Sequence, residues 1–335
     1  MGSNFLRLGR IFRRVVQMIA PKSTALTMLA NGTSQREVSR VTGISRKTLY
    51  RWAETFPKPD TAPRRHFVLP DTQCKPGEPL DNLRWIGKAI REYKPDVVVH
   101  IGDHWDFPSL STYSAPESGA MEGLRYEDDL KAGNDGLSIL HKAMGAWNGR
   151  KVLLRGNHEN RLTRYLDRNP KLSGAMGFHQ FNDRSLGWEV VDYHCGSPGQ
   201  ITIDGVIYAH YFSAVNTGRA IGGTANNKLN HVGTSFVQGH VQGYEVGTKQ
   251  YATGVVRKGI VAGSAYLHDE DYKGMANSHW RGVVVLNEVR DGTFCEMPLT
   301  LDYLCRKYEG MSVARYLREH YENAEHRFSL ARAAT

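Results

Sequence analysis

From residue 66 to residue 154, short apolar runs alternate with longer segments of helical period. Phe67-Val68-Leu69, Val97-Val98-Val99 and Val152-Leu153-Leu154 are short enough, and apolar enough, for buried strands. Between them, Leu80 to Tyr93 and Tyr126 to Trp147 repeat apolar residues three and four apart, as helices covering a sheet do. Strand and helix in strict alternation predict two βαβ crossovers and a parallel sheet. The acidic run Glu127-Asp128-Asp129 suits the start of the second helix, where negative charge is favourable. Past Gly187 the pattern favours strands, at Trp188 to Tyr193, Gln200 to Ile203, Val206 to His210, Ser235 to Gly239, Gly259 to Gly263 and Gly282 to Val289. These predict a second sheet packed on the first. Ser312 to Ala334 reads as an exposed amphipathic helix within a helical tail over 302–335.

The pattern before residue 57 is all helical. Thr24 to Ala30 suits a helix stopped by Asn31-Gly32; Thr33 or Ser34 can cap a second helix, Gln35 to Thr42, and Gly43 makes the turn. Ser45 caps a third helix that carries Arg46, Lys47, Tyr50 and Arg51 outward, over a small core of Val38, Val41, Ile44, Leu49 and Trp52. The spacing around Gly43 matches a helix-turn-helix with Ser45 to Glu54 as the recognition helix. The stretch TSQREVSRVTGISRKTLYRWAETF resembles the DNA-binding domains of resolvases and phage or transposon regulators, which implies a DNA contact through Arg46, Lys47, Tyr50 and Arg51. The bland alternative is a packing or oligomerisation module. Asn4 to Ala20 mixes apolar residues with four arginines, as an amphipathic basic helix or a basic arm does. Pro57 to Arg65 is a proline-rich linker. The expected organisation is therefore arm and helix-turn-helix over 1–56, linker over 57–65, an α/β domain over 66–301, and the tail.

Charge sharpens that division. Residues 1–65 hold 13 Lys/Arg against 3 Asp/Glu, and the remainder holds 30 against 31, so the net +9 belongs to the N-terminal segment. A polyanion such as DNA is expected to contact that segment. A chain of 335 residues with 40% hydrophobic content can bury a full core. No apolar run approaches the ~20 residues that span a bilayer, and no stable membrane association is expected. Cys74, Cys195, Cys295 and Cys305 are scattered, which suits reduced thiols in a cytoplasmic compartment. A homodimer stays open.

Chemistry-bearing residues gather where strands end. Phe67 to Pro70 leads into Asp71 and Gln73; Val97 to Ile101 into Asp103, His104 and Asp106; Lys151 to Leu154 into Asn157, His158 and Glu159. Val206 to Ala209 ends in His210, and Phe236 to Gly239 in His240 and Gln242. In α/β sheets, ligands bind outside the carboxyl ends of strands. Carboxylate, amide oxygen and imidazole together suit Mn²⁺, Fe or Zn²⁺, and the absence of thiolates argues against a structural zinc site. DTQ at 71–73, GDHWD at 102–106, GNHE at 156–159, YAH at 208–210 and GHVQ at 239–242 run in the order of the metallophosphoesterase (calcineurin-like) superfamily, which the chain resembles over His66 to Leu301. The resemblance implies a two-sheet α/β sandwich flanked by helices, and a site for two divalent ions, Mn²⁺ first with Fe, Zn²⁺ or Mg²⁺ as alternatives. It implies that Asp103 bridges the ions, that Asn157, His210 and His240 complete one site, and that Asp71 with Gln73 and Gln242 holds the other. A metal-bridging hydroxide would attack phosphorus, with His158, oriented by Asp106, stabilising the transition state or protonating the leaving oxygen.

Two positions depart from the family's pattern. Gln73 and Gln242 stand where it has histidines, both on one metal site, which is expected to bind more weakly and to favour Mn²⁺ or Mg²⁺. Phe107 follows Asp106 where Ser/Thr protein phosphatases carry a phosphate-gripping arginine. The reading is a nuclease or phosphodiesterase delivered to DNA by its helix-turn-helix. Its rivals are a small-molecule (nucleotide) phosphodiesterase or phosphatase, and a DNA-binding regulator with a degenerate phosphoesterase domain. Trp105, Phe107 and Tyr113 read as a base-stacking surface, a lid or a hydrophobic plug, and Arg155 and Arg161 as phosphate contacts or structural ion pairs. His100, His141, His179, His194, His231, His268 and His279 lack motif support and are expected as surface or satisfied core residues.

Overall fold

In the computed structural model, strand β1 (Arg64–Leu69) turns Phe67 and Leu69 to one side and Val68 to the other, and each side meets its own core. That period-two alternation is what a strand buried on both faces requires. Residues 24–25, 34–55, 62–112, 118–270 and 277–332 are described. The chain divides into two units, Met1–Ala62 and Pro63–Thr335.

In the larger unit, β1 pairs in parallel with β2 (Val97–His100), β2 with β3 (Arg150–Leu154), and β3 with β4 (Glu189–Val191). On the other side β1 pairs antiparallel with β10 (Gly282–Arg290), and β10 with β11 (Thr293–Thr300), giving the order β11-β10-β1-β2-β3-β4. The second sheet runs β5-β6-β7-β9-β8, from Gln200–Ile203, Val206–Ala209, Phe236–Gln238, Val256–Ala262 and Tyr244–Gln250 respectively. The sheets bury Val68, Val99, Val152 and Leu154 of the first against Tyr208, Val237, Ile260 and Ala262 of the second. The crossover helices Asp81–Tyr93 and Tyr126–Met144 cover the first sheet's outer face, packing Trp85, Ile86, Leu137 and Leu140 onto Phe67, Leu69, Val98 and Leu153. Helix Ala225–Val232 covers the second sheet through Leu229 and Phe236. The result is a two-sheet sandwich with helices outside, the architecture expected.

Several expectations change in detail. Arg64 and Arg65, assigned to the linker, are the first residues of β1, where the Arg65 amide donates to Asp96 Oδ2 at 2.7 Å. The segments Trp188 to Tyr193 and Gly282 to Val289 supply β4 and β10 to the first sheet, not the second. Their hydrophobicity marks a strand without stating which neighbour it pairs with. The tail is not one exposed helix: Leu301–Glu309, Val313–His320, Ala324–Arg327 and Ser329–Arg332 fold back, burying Leu304, Leu317, Phe328 and Ala331 in the helix-side core. Extended backbone at Tyr321 and Phe328 and the left-handed Asn323, at φ 57°, break the run.

In the smaller unit, helix Gln35–Thr42 is capped by Ser34, whose hydroxyl accepts from the Glu37 amide, and is closed by Gly43 at φ 70°. Helix Arg46–Thr55 follows, with Ser45 Oγ accepting from the Thr48 amide. Val38 and Leu49 are buried with Ala25, and Ile44 packs on them. Val41, expected in that core, is 52% exposed, although it stands only three residues from the buried Val38. The Trp52 and Arg51 side chains, most of the Thr24 to Ala30 helix, the basic arm and Tyr113 lie outside the described residues.

Candidate metal centre

The parallel strands bring their polar ends to one edge. Asp71, Asp103 and Asn157 follow β1, β2 and β3, while His210 and His240 follow β6 and β7 of the facing sheet. His210 Nε2 lies 2.9 Å from Asn157 Oδ1 and 3.2 Å from Asp103 Oδ2. Asp103, His210 and His240 each place one donor atom within 4.8 Å of the others. His210 Nδ1 donates to the Ile101 carbonyl at 3.0 Å, which fixes the ring and aims Nε2 at the two oxygens. Two acceptors facing that nitrogen need a cation between them, a proton or a metal. Burial disfavours the imidazolium, yet Asp103 outweighs it and holds His210 up at about 9.

Asp71 carries the same message. Its Oδ1 accepts from the His240 amide at 3.1 Å, but Oδ2 is buried without a hydrogen-bond partner among the described residues. Burial pushes this carboxyl up to about 6, and the neighbouring Asp103 adds to the rise. Asp103 itself is held well below the usual range, since His158 and His210 outweigh its burial. An orphaned carboxylate oxygen beside a second buried carboxylate fits a divalent cation.

The backbone is strained to make this convergence. Gln73, Asp103 and His240 sit at φ 37°, 51° and 66°, a region non-glycine residues seldom adopt. Close contact leaves no room for side chains between the loops. A Cβ on Gly156 would lie 2.0 Å from Asp103 Oδ1, and one on Gly102 would lie 2.5 Å from the Gly156 nitrogen. Glu159, which the sequence reading left without a role, braces them. Its carboxylate accepts from the amides of Asp103 (3.1 Å), His104 (2.6 Å), Trp105 (3.1 Å) and Gly156 (2.7 Å).

His158 stands at the first turn of helix Glu159–Arg168, beside these ligands. Its Nδ1 meets Asp106 Oδ1 at 2.5 Å, and its Nε2 lies 3.6 Å from Asp103 Oδ2. Burial opposes charge on the ring, but Asp103 and Asp106 prevail and raise its pKa. Arg161 donates to the Asp106 carbonyl at 2.7 Å and places Nη2 3.2 Å from His158 Nε2. The helical spacing of His158 and Arg161 was the available signal for this contact. Arg155 makes a buried ion pair with Asp183 and lies over the rings of Phe181 and Phe178 at 4.7 and 4.9 Å.

The two glutamines meet, but as partners of each other. Gln242 Nε2 donates to Gln73 Oε1 at 3.2 Å, and the Tyr266 hydroxyl donates to Gln242 Oε1 at 2.6 Å. Both amide oxygens, the only atoms these side chains offer a metal, are therefore engaged. The residues fit a cation at Asp103, Asn157, His210 and His240; on the Asp71 side the unpartnered Oδ2 would be the group offered to a second one.

His104, inside the second motif, points away. Its Nε2 donates to the Gly133 carbonyl at 2.9 Å, while Nδ1 accepts from the Thr72 hydroxyl at 2.7 Å, which in turn accepts from His100 Nε2 at 3.0 Å. Burial pushes His104 down to about 4 and His100 well below its usual value, so both are neutral core residues. Trp105 and Phe107 are fully buried and act as a plug, not as a lid or stacking surface. Arg46, Lys47 and Tyr50 lie on the exposed side of helix Arg46–Thr55 in the other unit.

Residues 65–256 match the family model described as calcineurin-like phosphoesterase. The chain is 27% identical to the Gene 54 protein of Mycobacterium phage L5 over 197 residues, which cover 57% of this chain and 73% of that one. It is 28% identical to the Gene 54 protein of Mycobacterium phage D29 over 186 residues, covering 53% and 68%. A crystal structure of a dimetal phosphatase from Danio rerio aligns over 72% of this chain and 97% of its own, at 10% identity and a TM-score of 0.34.

Proposed function

The chain belongs to the calcineurin-like phosphoesterase family of metal-dependent hydrolases, and on that premise we propose that it cleaves phosphodiester bonds in DNA. The observation that carries the hydrolytic half is the convergence of Asp103 Oδ2, Asn157 Oδ1 and His210 Nε2 around one point. Asp103, Asn157, His210 and His240 would hold one divalent ion, and Asp71 with Asp103 a second, weaker one. Bound there, such ions supply Lewis acidity toward phosphoryl oxygens and lower the pKa of water. His158 Nε2, beside the metal ligands, delivers a proton to the leaving oxygen, and Asp106 orients the ring through Nδ1. Arg161 keeps positive charge beside the same imidazole edge, where phosphate charge develops.

The DNA half is supported by the separation of charge: 13 of the 43 Lys/Arg fall in residues 1–65 against 3 of the 34 Asp/Glu. The exposed Arg46, Lys47 and Tyr50 of the second described helix supply groups for phosphate and base contacts. The test is a panel of an aryl phosphomonoester, an aryl phosphodiester and single- and double-stranded DNA, each with Mn²⁺. Cleavage of the diester and of DNA is expected, with loss of about 10²–10³-fold in Asp103→Asn. Activity confined to the monoester overturns the diester assignment, and activity unchanged in Asp103→Asn overturns the site.

A further inference from the structure

Strands β3 and β4 lie side by side and parallel, and the chain beyond β4 forms a second depression along the edge that carries the metal ligands. A cavity of about 440 Å³ opens there, walled by Asn160, Thr163, Arg164 and Asp167 of helix Glu159–Arg168 and by Phe178, Asp192 and Tyr193. The helix side is one continuous face, since these four residues are spaced three, four and seven apart. Asn160 follows the metal-site loop directly. Tyr193 reaches back toward it, its phenol pushed up by burial and by Tyr211, Asp103 and Glu159.

Arg155 lines the cavity although it is 1% exposed. Its Nη2 is committed to Asp183, its Nε faces Asp192 at 3.5 Å, and Nη1 is buried without a hydrogen-bond partner among the described residues. A buried donor left unmatched is costly, so an acceptor is expected to reach it. Charge decides what kind. Arg155 is already balanced by Asp183, and the lining matches its two arginines, Arg155 and Arg164, with two carboxylates, Asp167 and Asp192, so a bare phosphate gains little. A neutral ring with both acceptors and donors suits the mixture, with Tyr193 and Phe178, each half-buried, as stacking walls.

We propose that this cavity is a nucleobase subsite, seating the base next to the scissile phosphate of a nucleotide or nucleic-acid substrate. The assignment rests on the phosphodiesterase reading for its position in catalysis, but the cavity's binding of a base can be measured without turnover. Full-length protein with Mn²⁺ is assayed on bis(p-nitrophenyl) phosphate, which has no base, and on thymidine 5′-(p-nitrophenyl phosphate), which has one. The nucleoside ester is expected to be preferred by about tenfold or more in kcat/KM, and the preference to shrink by about tenfold in Tyr193→Ala, the loss of one base stack. Thr163→Trp, at an exposed helix position on the cavity wall, is expected to remove it by filling the space, while exposed Lys171→Ala, which does not line the cavity, keeps it. Equal efficiency on the two esters, or a preference unmoved by both cavity variants, overturns the subsite. Calorimetric titration of thymidine and of adenosine into the same proteins reads the cavity independently. Saturable binding of either nucleoside that Thr163→Trp abolishes supports the subsite even if neither ester is hydrolysed, a result that would instead sink the phosphodiesterase reading. No binding of either nucleoside at millimolar concentration overturns the subsite whatever the esters do.

Discussion

The side-chain amide of Gln242 donates to the amide oxygen of Gln73 across 3.2 Å, joining the two positions where the family's pattern has histidines. The Tyr266 hydroxyl occupies the remaining amide oxygen. A ligand pair has become a hydrogen-bonded pair, and it lies on the Asp71 side of the centre.

The first prediction concerns stoichiometry. Protein purified and dialysed against Mn²⁺-free buffer is expected to retain close to one tightly held divalent ion per chain, with a second added only at high Mn²⁺ or Mg²⁺. The double variant Gln73→His/Gln242→His is expected to hold two. Elemental analysis of both proteins checks this, and two tightly held ions in the unaltered chain would sink it.

Proton delivery by His158 makes a leaving-group prediction. His158→Ala should lower kcat by roughly 10²–10⁴-fold on DNA or an alkyl diester, whose departing oxygen needs a proton. The loss on a p-nitrophenyl diester should be far smaller, because that oxygen leaves as a stable anion. Asp106→Asn should show the same contrast more weakly, since the Nδ1 contact orients the ring. Equal losses on both substrates would mean that His158 acts on charge or positioning alone.

A buried carboxyl behind the site sets a pH dependence of stability, its charge felt by Asp106 and Arg161. Asp129, in the first turn of helix Tyr126–Met144, accepts from the Ser109 amide at 3.0 Å, and burial pushes it up to about 6. A carboxyl raised above its unfolded value of about 3.9 favours the neutral form in the folded chain. Its stabilising contribution is complete at low pH and is lost as pH rises through about 6. Asp129→Asn keeps an acceptor for the Ser109 amide without the charge. It should raise Tm by a few degrees at pH 7.5 and leave it unchanged at pH 4. An equal shift at both values would show that Asp129 is not titrating as its burial requires.

The N-terminal unit should account for salt-sensitive DNA binding. Removing residues 1–62 is expected to weaken binding to duplex DNA and to flatten its dependence on salt, while hydrolysis of an aryl diester persists. Arg46→Ala and Lys47→Ala should each lower the slope of log K against log salt by about 1. DNA cleavage at physiological salt that is indifferent to the truncation would show that delivery depends on other groups.

The sequence made the strand ends legible because each candidate ligand follows a short apolar run, and such a run has few alternatives to a buried strand. Asp71, Asp103, Asn157, His210 and His240 therefore announced themselves by context. Pairing was harder. Nothing in Glu189–Val191 or Gly282–Arg290 states which sheet it joins: the first is a three-residue, part-exposed edge strand, and the second, buried for most of its length, looks the same in either sheet. Val41 is as apolar as the buried Val38 three residues before it, yet the fold leaves it 52% exposed. Glu159 was visible as part of a motif, but its four amide partners come from two loops separated by more than fifty residues, a relationship no local pattern encodes. The glutamine pair was read as two weak ligands; that each would satisfy the other depends on the fold bringing residues 73 and 242 together.

The near-contact of Gly102 and Gly156, locked by Glu159, bears on how such a protein can diversify. With no space for a Cβ at either glycine, and one carboxylate tying both loops, the second and third motifs can change only together. Sequence drift is thereby diverted to the rim, where Thr163, Arg164 and Cys195 face solvent. A library that randomises the rim should return many active members with altered preferences, whereas one that randomises Gly102, Gly156 and Glu159 singly should return almost none. The chemistry is held still so that the choice of substrate can move.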